Sequence, residues 1–213
     1  MEFEQLIRIV DNEPVFETGL LLAGNVGLKD VMLQLSRWTK AGRLYQIRRG
    51  LYALAPPYQK VKPDPFLIAN RMVRASYVSC QSALEFRGLI PEHTPVVVSI
   101  TMTRPGHWAT PFGVFEFRHI KKELFSGYRL SELGGGQKAF VATPEKALLD
   151  LVYLQPNGDA ESYLNELRLG NLEKLDIEGL QQMAKKSGSP KLVRAAKRIA
   201  LMVDKEAEEY RTL

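Results

Sequence analysis

Residues 28–54, LKDVMLQLSRWTKAGRLYQIRRGLYAL, have the pattern that decides the N-terminal part of the fold. The first half places apolar side chains at helical spacing, at Leu28, Val31, Leu35 and Trp38. Gly42 is well placed to end this helix, because helix C-termini commonly need a residue in the left-handed conformation. The second half, residues 44–54, alternates apolar and polar side chains on both sides of residues 48–50, which predicts two short strands joined by a tight turn.

Positive charge is concentrated in this stretch and just after it. Residues 29–62 contain eight lysines and arginines against one acid, Asp30, so their net charge of +7 exceeds the +5 of the whole chain. Residues 1–28, by contrast, contain one arginine and five acids. A basic helix followed directly by a basic hairpin is typical of a winged helix-turn-helix, which contacts DNA through both elements.

In this interpretation the helix enters the major groove, where side chains reach the edges of the bases. Gln34 and Arg37 are the best placed to contact bases, and Lys29 and Lys40 to contact phosphates. The alternative is a basic face that is merely solvated, on a winged-helix domain that binds protein instead of DNA.

The hairpin supplies the remaining contacts. Arg48 and Arg49, at the predicted tip, are expected to contact the DNA backbone or the minor groove. Gly50 permits the turn and a close approach of the backbone. The full set of predicted DNA-binding residues is Lys29, Gln34, Arg37, Lys40, Arg43, Arg48, Arg49 and Gly50.

The segment before the basic helix contains two short stretches with apolar side chains. Residues 2–10 have helical spacing, and residues 15–23 form a second apolar segment. Gly24, Asn25 and Gly27 then predict a turn.

The chain is long enough for one large domain or two small ones, and its apolar fraction of 45% is sufficient for packed cores. Four prolines between residues 56 and 65 interrupt regular structure after the hairpin. We therefore predict a winged helix-turn-helix domain at 1–62 and a second domain at 63–213.

The second region has a different character and predicts a mixture of strands and helices. Strands are expected at 76–79, 96–101, 113–120 and 139–142, and the pattern favours an antiparallel pairing of 96–101 with 113–120. Helices are expected at 65–74 and 80–87, at 145–154 behind a Thr143 N-cap and Pro144, and in three or four further segments after residue 159, one of which starts near Pro190. We therefore expect an α+β fold: an N-terminal winged helix-turn-helix followed by a mixed α/β domain with a small sheet and a helical C-terminal part.

Residues 104–111 form the expected loop between two of these strands. The loop contains His107 and Trp108. An exposed tryptophan marks a partner surface, whereas one that folds back on the neighbouring hairpin is structural, and the sequence leaves both alternatives open.

A second basic cluster lies at 185–198, where six cations occur without an acid. Within this cluster, a candidate second basic surface comprises Lys191, Arg194, Lys197 and Arg198. This cluster is either the solvated face of a packed helix or an auxiliary contact with nucleic acid or an acidic partner.

Other chemistries have weaker support. The histidines His93, His107 and His119 lack the spacing of metal ligands, and no metal or cofactor is expected. Cys80 is more typical of a core thiol than of a nucleophile. The Gly-rich segment 134–138 lacks the spacing of a phosphate-binding loop, so we expect a flexible turn there.

Three carboxylates raise the alternative of a metal-dependent nuclease: Glu116, Glu145 and Asp150. However, Glu145 and Asp150 are five residues apart, which on a helix turns them about 140° from each other. We therefore expect a protein that is not an enzyme.

Three motifs, in order, resemble the AbiEi-type antitoxins and their relatives among predicted regulators of viral defence. AGRLYQIRRGLYAL at 41–54 is similar to the family's step from helix to wing. SCQSALEFRG at 79–88 and TPEKALLDL at 143–151 are similar to two later family motifs. Together they span most of the chain.

The resemblance implies a two-domain antitoxin of a type IV toxin–antitoxin pair, with an antitoxin-like C-terminal domain. The winged helix would bind repeats in its own promoter as a monomer or dimer and repress the operon. The C-terminal domain would neutralise a nucleotidyltransferase toxin. Some relatives are solitary regulators without a toxin partner, and that alternative stays open.

The location of the protein follows from what the sequence lacks. No apolar run approaches the roughly 18–20 residues that span a bilayer. The first residues are acidic and amphipathic, unlike a secretion signal, and a single cysteine excludes an internal disulfide. We expect a cytoplasmic protein without membrane contact.

Overall fold

The computed structural model describes residues 1–22 and 27–211, which form an α+β fold. The turn predicted at Gly24 and Asn25 lies outside the described residues. The α-helices are α1 (Phe3–Val10), α2 (Leu28–Lys40), α3 (Pro65–Met72), α4 (Cys80–Phe86), α5 (Pro144–Leu154), α6 (Glu161–Glu166), α7 (Ile177–Lys186) and α8 (Pro190–Arg211). The strands are β1 (Phe16–Glu17), β2 (Leu44–Arg48), β3 (Leu51–Leu54), β4 (Ser76–Val78), β5 (Val96–Thr101), β6 (Gly106–Thr110), β7 (Gly113–His119), β8 (Tyr128–Gly134) and β9 (Gln137–Ala142).

The first strands form a small antiparallel sheet in the order β1-β3-β2. A hydrophobic core lies between this sheet and helices α1 and α2, and it includes Leu6, Leu35, Trp38 and Tyr52. The predicted stop of α2 is confirmed: Gly42 adopts a φ of +69°, and the amide of Arg43 donates to the carbonyl of Trp38 at 2.9 Å.

The opposite face of the small sheet packs against the rest of the chain. Ile47, Leu51 and Ala53 belong to the large core that also contains the second sheet. All four residues of β3 are consequently buried. The predicted hairpin of two short strands is confirmed, and its second face is covered by a segment distant in sequence.

The second sheet is mixed and has the order β6-β7-β5-β4-β9-β8. Strands β5 and β7 are parallel, with Val96 opposite Val114 and Thr101 opposite His119, so the predicted antiparallel pairing is wrong. The reason is that the expected loop 104–111 contains strand β6. This strand forms an antiparallel hairpin with β7 and occupies the sheet edge, so β7 lies between β6 and β5.

The predicted helix behind Thr143 is confirmed as α5, the central helix of the large core. The hydroxyl of Thr143 accepts a hydrogen bond from the amide of Lys146, and Pro144 occupies the first turn. Most of the helix is buried, including the charged side chains of Lys146 and Asp150. Helices α4, α7 and α8 pack around α5.

The C-terminal part is helical as expected, and α8 begins at Pro190. Strand β8 was not predicted; it pairs with β9 through a turn in which Gly134, Gly135 and Gly136 all have positive φ. Within 1–22 and 27–211, none of the helices combines the length and the apolar character that crossing a bilayer requires.

Candidate nucleic-acid interface

Helix α2 has one buried face and one exposed face. Val31, Leu35 and Trp38 point into the small core. The exposed side chains Lys29, Leu33, Arg37 and Lys40 follow each other at intervals of three or four residues and therefore share the opposite face. Gln34 is half-buried and lies beside this face, not at its centre.

The cations of α2 have no counterion among the described residues. Neither the salt bridges nor the side-chain hydrogen bonds of the described residues include Lys29, Arg37 or Lys40. Arg43, just after the helix, is exposed, and its guanidinium lies 5.0 Å from the ring centre of Phe3. The face is therefore positively charged and open to an external anion. We call Lys29, Arg37, Lys40 and Arg43 the α2 cations.

The hairpin turn consists of Arg49 and Gly50. Gly50 has a φ of +82°, a conformation that side-chain-bearing residues rarely adopt, which fits its predicted role in the turn. The amide of Thr18 donates to the carbonyl of Gly50 at 2.9 Å, so the segment after β1 lies alongside the turn. The side chain of Arg49 is exposed.

Arg48 is placed differently from its neighbour. Its guanidinium donates to the backbone carbonyl of Met72 and lies over the indole of Trp108, 5.3 Å from the ring centre. Both partners belong to the second region of the chain. The sequence put Arg48 at a free tip, whereas the structure puts it in the contact between the hairpin and the second sheet.

Trp108 folds back on its own hairpin, which is one of the two alternatives that the sequence left open. The indole packs edge-on against Phe117, with ring centres 5.3 Å apart, and passes so close to Gly106 that a side chain there would collide with it. Arg48 covers part of the remaining surface. Trp108 therefore forms part of the contact between the β2–β3 hairpin and the second sheet.

The second basic cluster is largely engaged with the protein itself. The ammonium of Lys191 donates to the carbonyl of Gln155 at 2.5 Å, and Nε of Arg194 donates to Asp159 at 2.8 Å. Arg198 donates to the backbone carbonyl of Asp159. Lys197 alone among the four predicted residues is exposed without a partner in the described residues. Lys191, Arg194 and Arg198 thus bind α8 to the loop after α5.

A buried polar network was missed by sequence reasoning. Asp150 of α5 accepts hydrogen bonds from the hydroxyls of Tyr77 and Ser79 at 2.9 and 2.7 Å, and its other oxygen lies 2.5 Å from the ammonium of Lys146. Burial raises the pKa of the Asp150 carboxyl, and Lys146 opposes this rise. The network ties the central helix to β4, and its charged side chains are buried, with Lys146 4% and Asp150 1% exposed.

The three carboxylates of the nuclease alternative have separate partners. Glu116 pairs with Arg118 at 3.5 Å, Glu145 accepts a hydrogen bond from the amide of Asp176 at 2.9 Å, and Asp150 belongs to the buried network. In the part of the chain that the structure describes, no three His, Cys, Asp or Glu side chains are grouped as metal ligands would be. Cys80 is buried, and burial raises the pKa of its thiol.

A scan against models of known protein families and a search of curated proteins each returned no match.

Proposed function

We propose that residues 1–62 form a winged helix-turn-helix that binds double-stranded DNA, and that the protein is a transcriptional repressor. The observation that carries this proposal is the exposed face of α2. Its cations lie on one side of a helix, are solvent-exposed and have no carboxylate partner in the described residues. A helix of this kind fits the major groove of B-DNA.

The order of elements supports the winged-helix assignment. Helix α1, strand β1, a short 3₁₀ helix at Thr18–Leu22, helix α2 and the β2–β3 hairpin follow one another, and β1 completes the sheet by pairing with β3. In this assignment the 3₁₀ helix is the first helix of the helix-turn-helix and α2 is the recognition helix. The hairpin is the wing, with Arg49 as the side chain available at its tip.

The contrast between the two basic clusters also favours α2 as the DNA-binding element. Lys191, Arg194 and Arg198 of α8 are bonded to Asp159 and to backbone carbonyls, which leaves only Lys197 of the predicted cluster without a partner in the described residues. The α2 cations and Arg49 are available to phosphates, and an arginine can also form two hydrogen bonds with guanine. Arg48 is left out of this set because Met72 and Trp108 already hold its guanidinium.

Repression then follows from occupancy of the promoter. Five cations, the α2 cations and Arg49, would each neutralise a phosphate and release a counterion. Affinity for duplex DNA should therefore fall about 500-fold on going from ~50 to ~200 mM salt. Electrophoretic mobility shift with the region upstream of the protein's own gene tests the proposal. Binding that is absent, or unaffected by salt, would contradict it.

The resemblance to AbiEi-type antitoxins extends the proposal to the second region. In that extension residues 63–213 counteract a nucleotidyltransferase toxin encoded in the same operon. Co-expression of the full chain with the product of the neighbouring gene tests this: rescue of growth supports an antitoxin. Failure to rescue, together with intact promoter binding, would support the alternative of a solitary regulator.

A further inference from the structure

Leu33 occupies the centre of the exposed face of α2. It follows Lys29 by one helical turn and precedes Arg37 by one turn, so it lies between two cations on the same side of the helix. Its side chain remains 50% exposed, although Val31 and Leu35 on either side are buried in the small core. A large apolar side chain thus stands in the middle of a charged surface.

The surroundings of Leu33 restrict what can cover it. A partner that approaches this face must present negative charge to Lys29 and Arg37 and an apolar group between them. The major groove of DNA provides both, since phosphates line its edges and the 5-methyl group of thymine projects from its floor. The other base edges in that groove present hydrogen-bond donors and acceptors, and the side chain of leucine cannot form hydrogen bonds with them.

We propose that Leu33 contacts the 5-methyl group of a thymine and makes an A·T pair a fixed feature of the DNA site. This inference rests on the proposed function, because it requires that α2 enters the major groove. It assigns sequence preference to a side chain without hydrogen-bonding groups, whereas Lys29 and Lys40 provide affinity for any duplex.

A uracil substitution isolates the methyl group. Duplexes bound by the full chain are first selected from a random pool, and each thymine of the selected site is then replaced singly by uracil, which lacks only the methyl. One replacement should weaken binding about fourfold, as expected for the loss of one buried methyl group. In the Leu33→Ser variant the thymine and uracil duplexes should bind equally, because the contact is already absent.

A matched variant controls for the loss of an exposed leucine. Leu130 on β8 is 54% exposed and belongs to the second sheet. Leu130→Ser should keep both the affinity and the fourfold preference for thymine. Circular dichroism of both variants checks that they are folded.

The outcomes separate this inference from the proposed function. If the wild-type protein selects no sequence and binds no duplex, the proposed function fails and the inference fails with it. If it selects a site but binds thymine and uracil equally at every position, or if Leu33→Ser keeps the preference, only the assignment of Leu33 is overturned. A Leu33→Ser variant that changes the oligomeric state and not the thymine preference would identify a protein contact instead.

Discussion

The guanidinium of Arg48 lies 5.3 Å from the ring centre of Trp108, although 60 residues separate the two in sequence. This contact and the hydrogen bond from Arg48 to the carbonyl of Met72 hold the hairpin against the second sheet and α3. Glu17 of β1 contributes an ion pair with Arg74 at 2.6 Å nearby. The hairpin is thereby oriented by the region that follows it.

Arg48 and its neighbour Arg49 should respond differently to truncation. Arg48→Ala removes a cation–π contact and a hydrogen bond, and it should lower the free energy of unfolding by about 1–2 kcal/mol. Arg49→Ala removes an exposed side chain and should change stability by less than about 0.5 kcal/mol while weakening DNA binding. Urea denaturation measures the first effect. Equal losses of stability in the two variants would contradict the placement of Arg48.

The buried network around Asp150 should be costly to break. Asp150→Ala leaves the ammonium of Lys146 unpaired in the core and should lower the free energy of unfolding by about 3–5 kcal/mol. Glu132→Ala is the control, because it breaks the exposed 2.6 Å pair with Lys138 and should cost less than about 1 kcal/mol.

Replacing both buried charged residues tests the same network without leaving an unpaired charge in the core. A Lys146→Met, Asp150→Leu double variant should recover part of the stability lost in Asp150→Ala, because no unpaired charge remains. Chemical denaturation of the wild type, Asp150→Ala, Glu132→Ala and the double variant gives the four free energies of unfolding to be compared. An Asp150→Ala variant as stable as Glu132→Ala would show that the network contributes little.

Because of Asp159, the free energy of unfolding should depend on pH. Burial alone would raise the pKa of this carboxyl, but the hydrogen bond from Arg194 and the charge of Arg198 hold it below its usual range. A carboxylate with a lowered pKa in the folded state stabilises the fold above its unfolded pKa of about 4, and this contribution is lost as the pH falls further.

The Asp159→Asn variant should therefore be less stable than the wild type at neutral pH by about 1 kcal/mol, and the difference should shrink as the pH falls below about 4. Thermal unfolding at a series of pH values measures it. Asp204→Asn, which removes an exposed carboxylate of α8, serves as control. A stability difference that is independent of pH would exclude the role assigned to the Arg194–Asp159 pair.

Local features of this fold could be predicted from the sequence. The limits of α2, the Gly42 stop, the hairpin turn and the Thr143 cap depend on residues that are near one another along the chain. Non-local features could not be predicted. The parallel pairing of β5 with β7 depends on which sheet edge β6 occupies, and β8 was missed because Tyr128, Leu130 and Leu133 are unevenly spaced among polar residues.

The same division applies to the candidate site. The charge of α2 is a property of its sequence, and periodicity alone placed Lys29, Arg37 and Lys40 on one face. The engagement of Arg48 with Trp108, and of Arg194 with Asp159, depends on tertiary contacts across 60 and 35 residues. The sequence therefore could not show that Arg48 and Arg194 have partners within the protein, whereas Lys29, Arg37 and Lys40 have none among the described residues.

Charge reversal on α2 determines whether this helix binds DNA. A Lys29→Glu, Arg37→Glu, Lys40→Glu variant is compared with Lys185→Glu, Lys186→Glu, Lys197→Glu, which makes the same change in net charge at exposed lysines near the C-terminal end. Affinity for the promoter duplex is measured over a range of salt concentrations. We predict that the α2 variant loses more than about 100-fold in affinity and that its salt dependence weakens by about 2.7 in slope, while the control changes about twofold at most. Equal losses in the two variants would contradict the assignment of α2 as the DNA-binding helix.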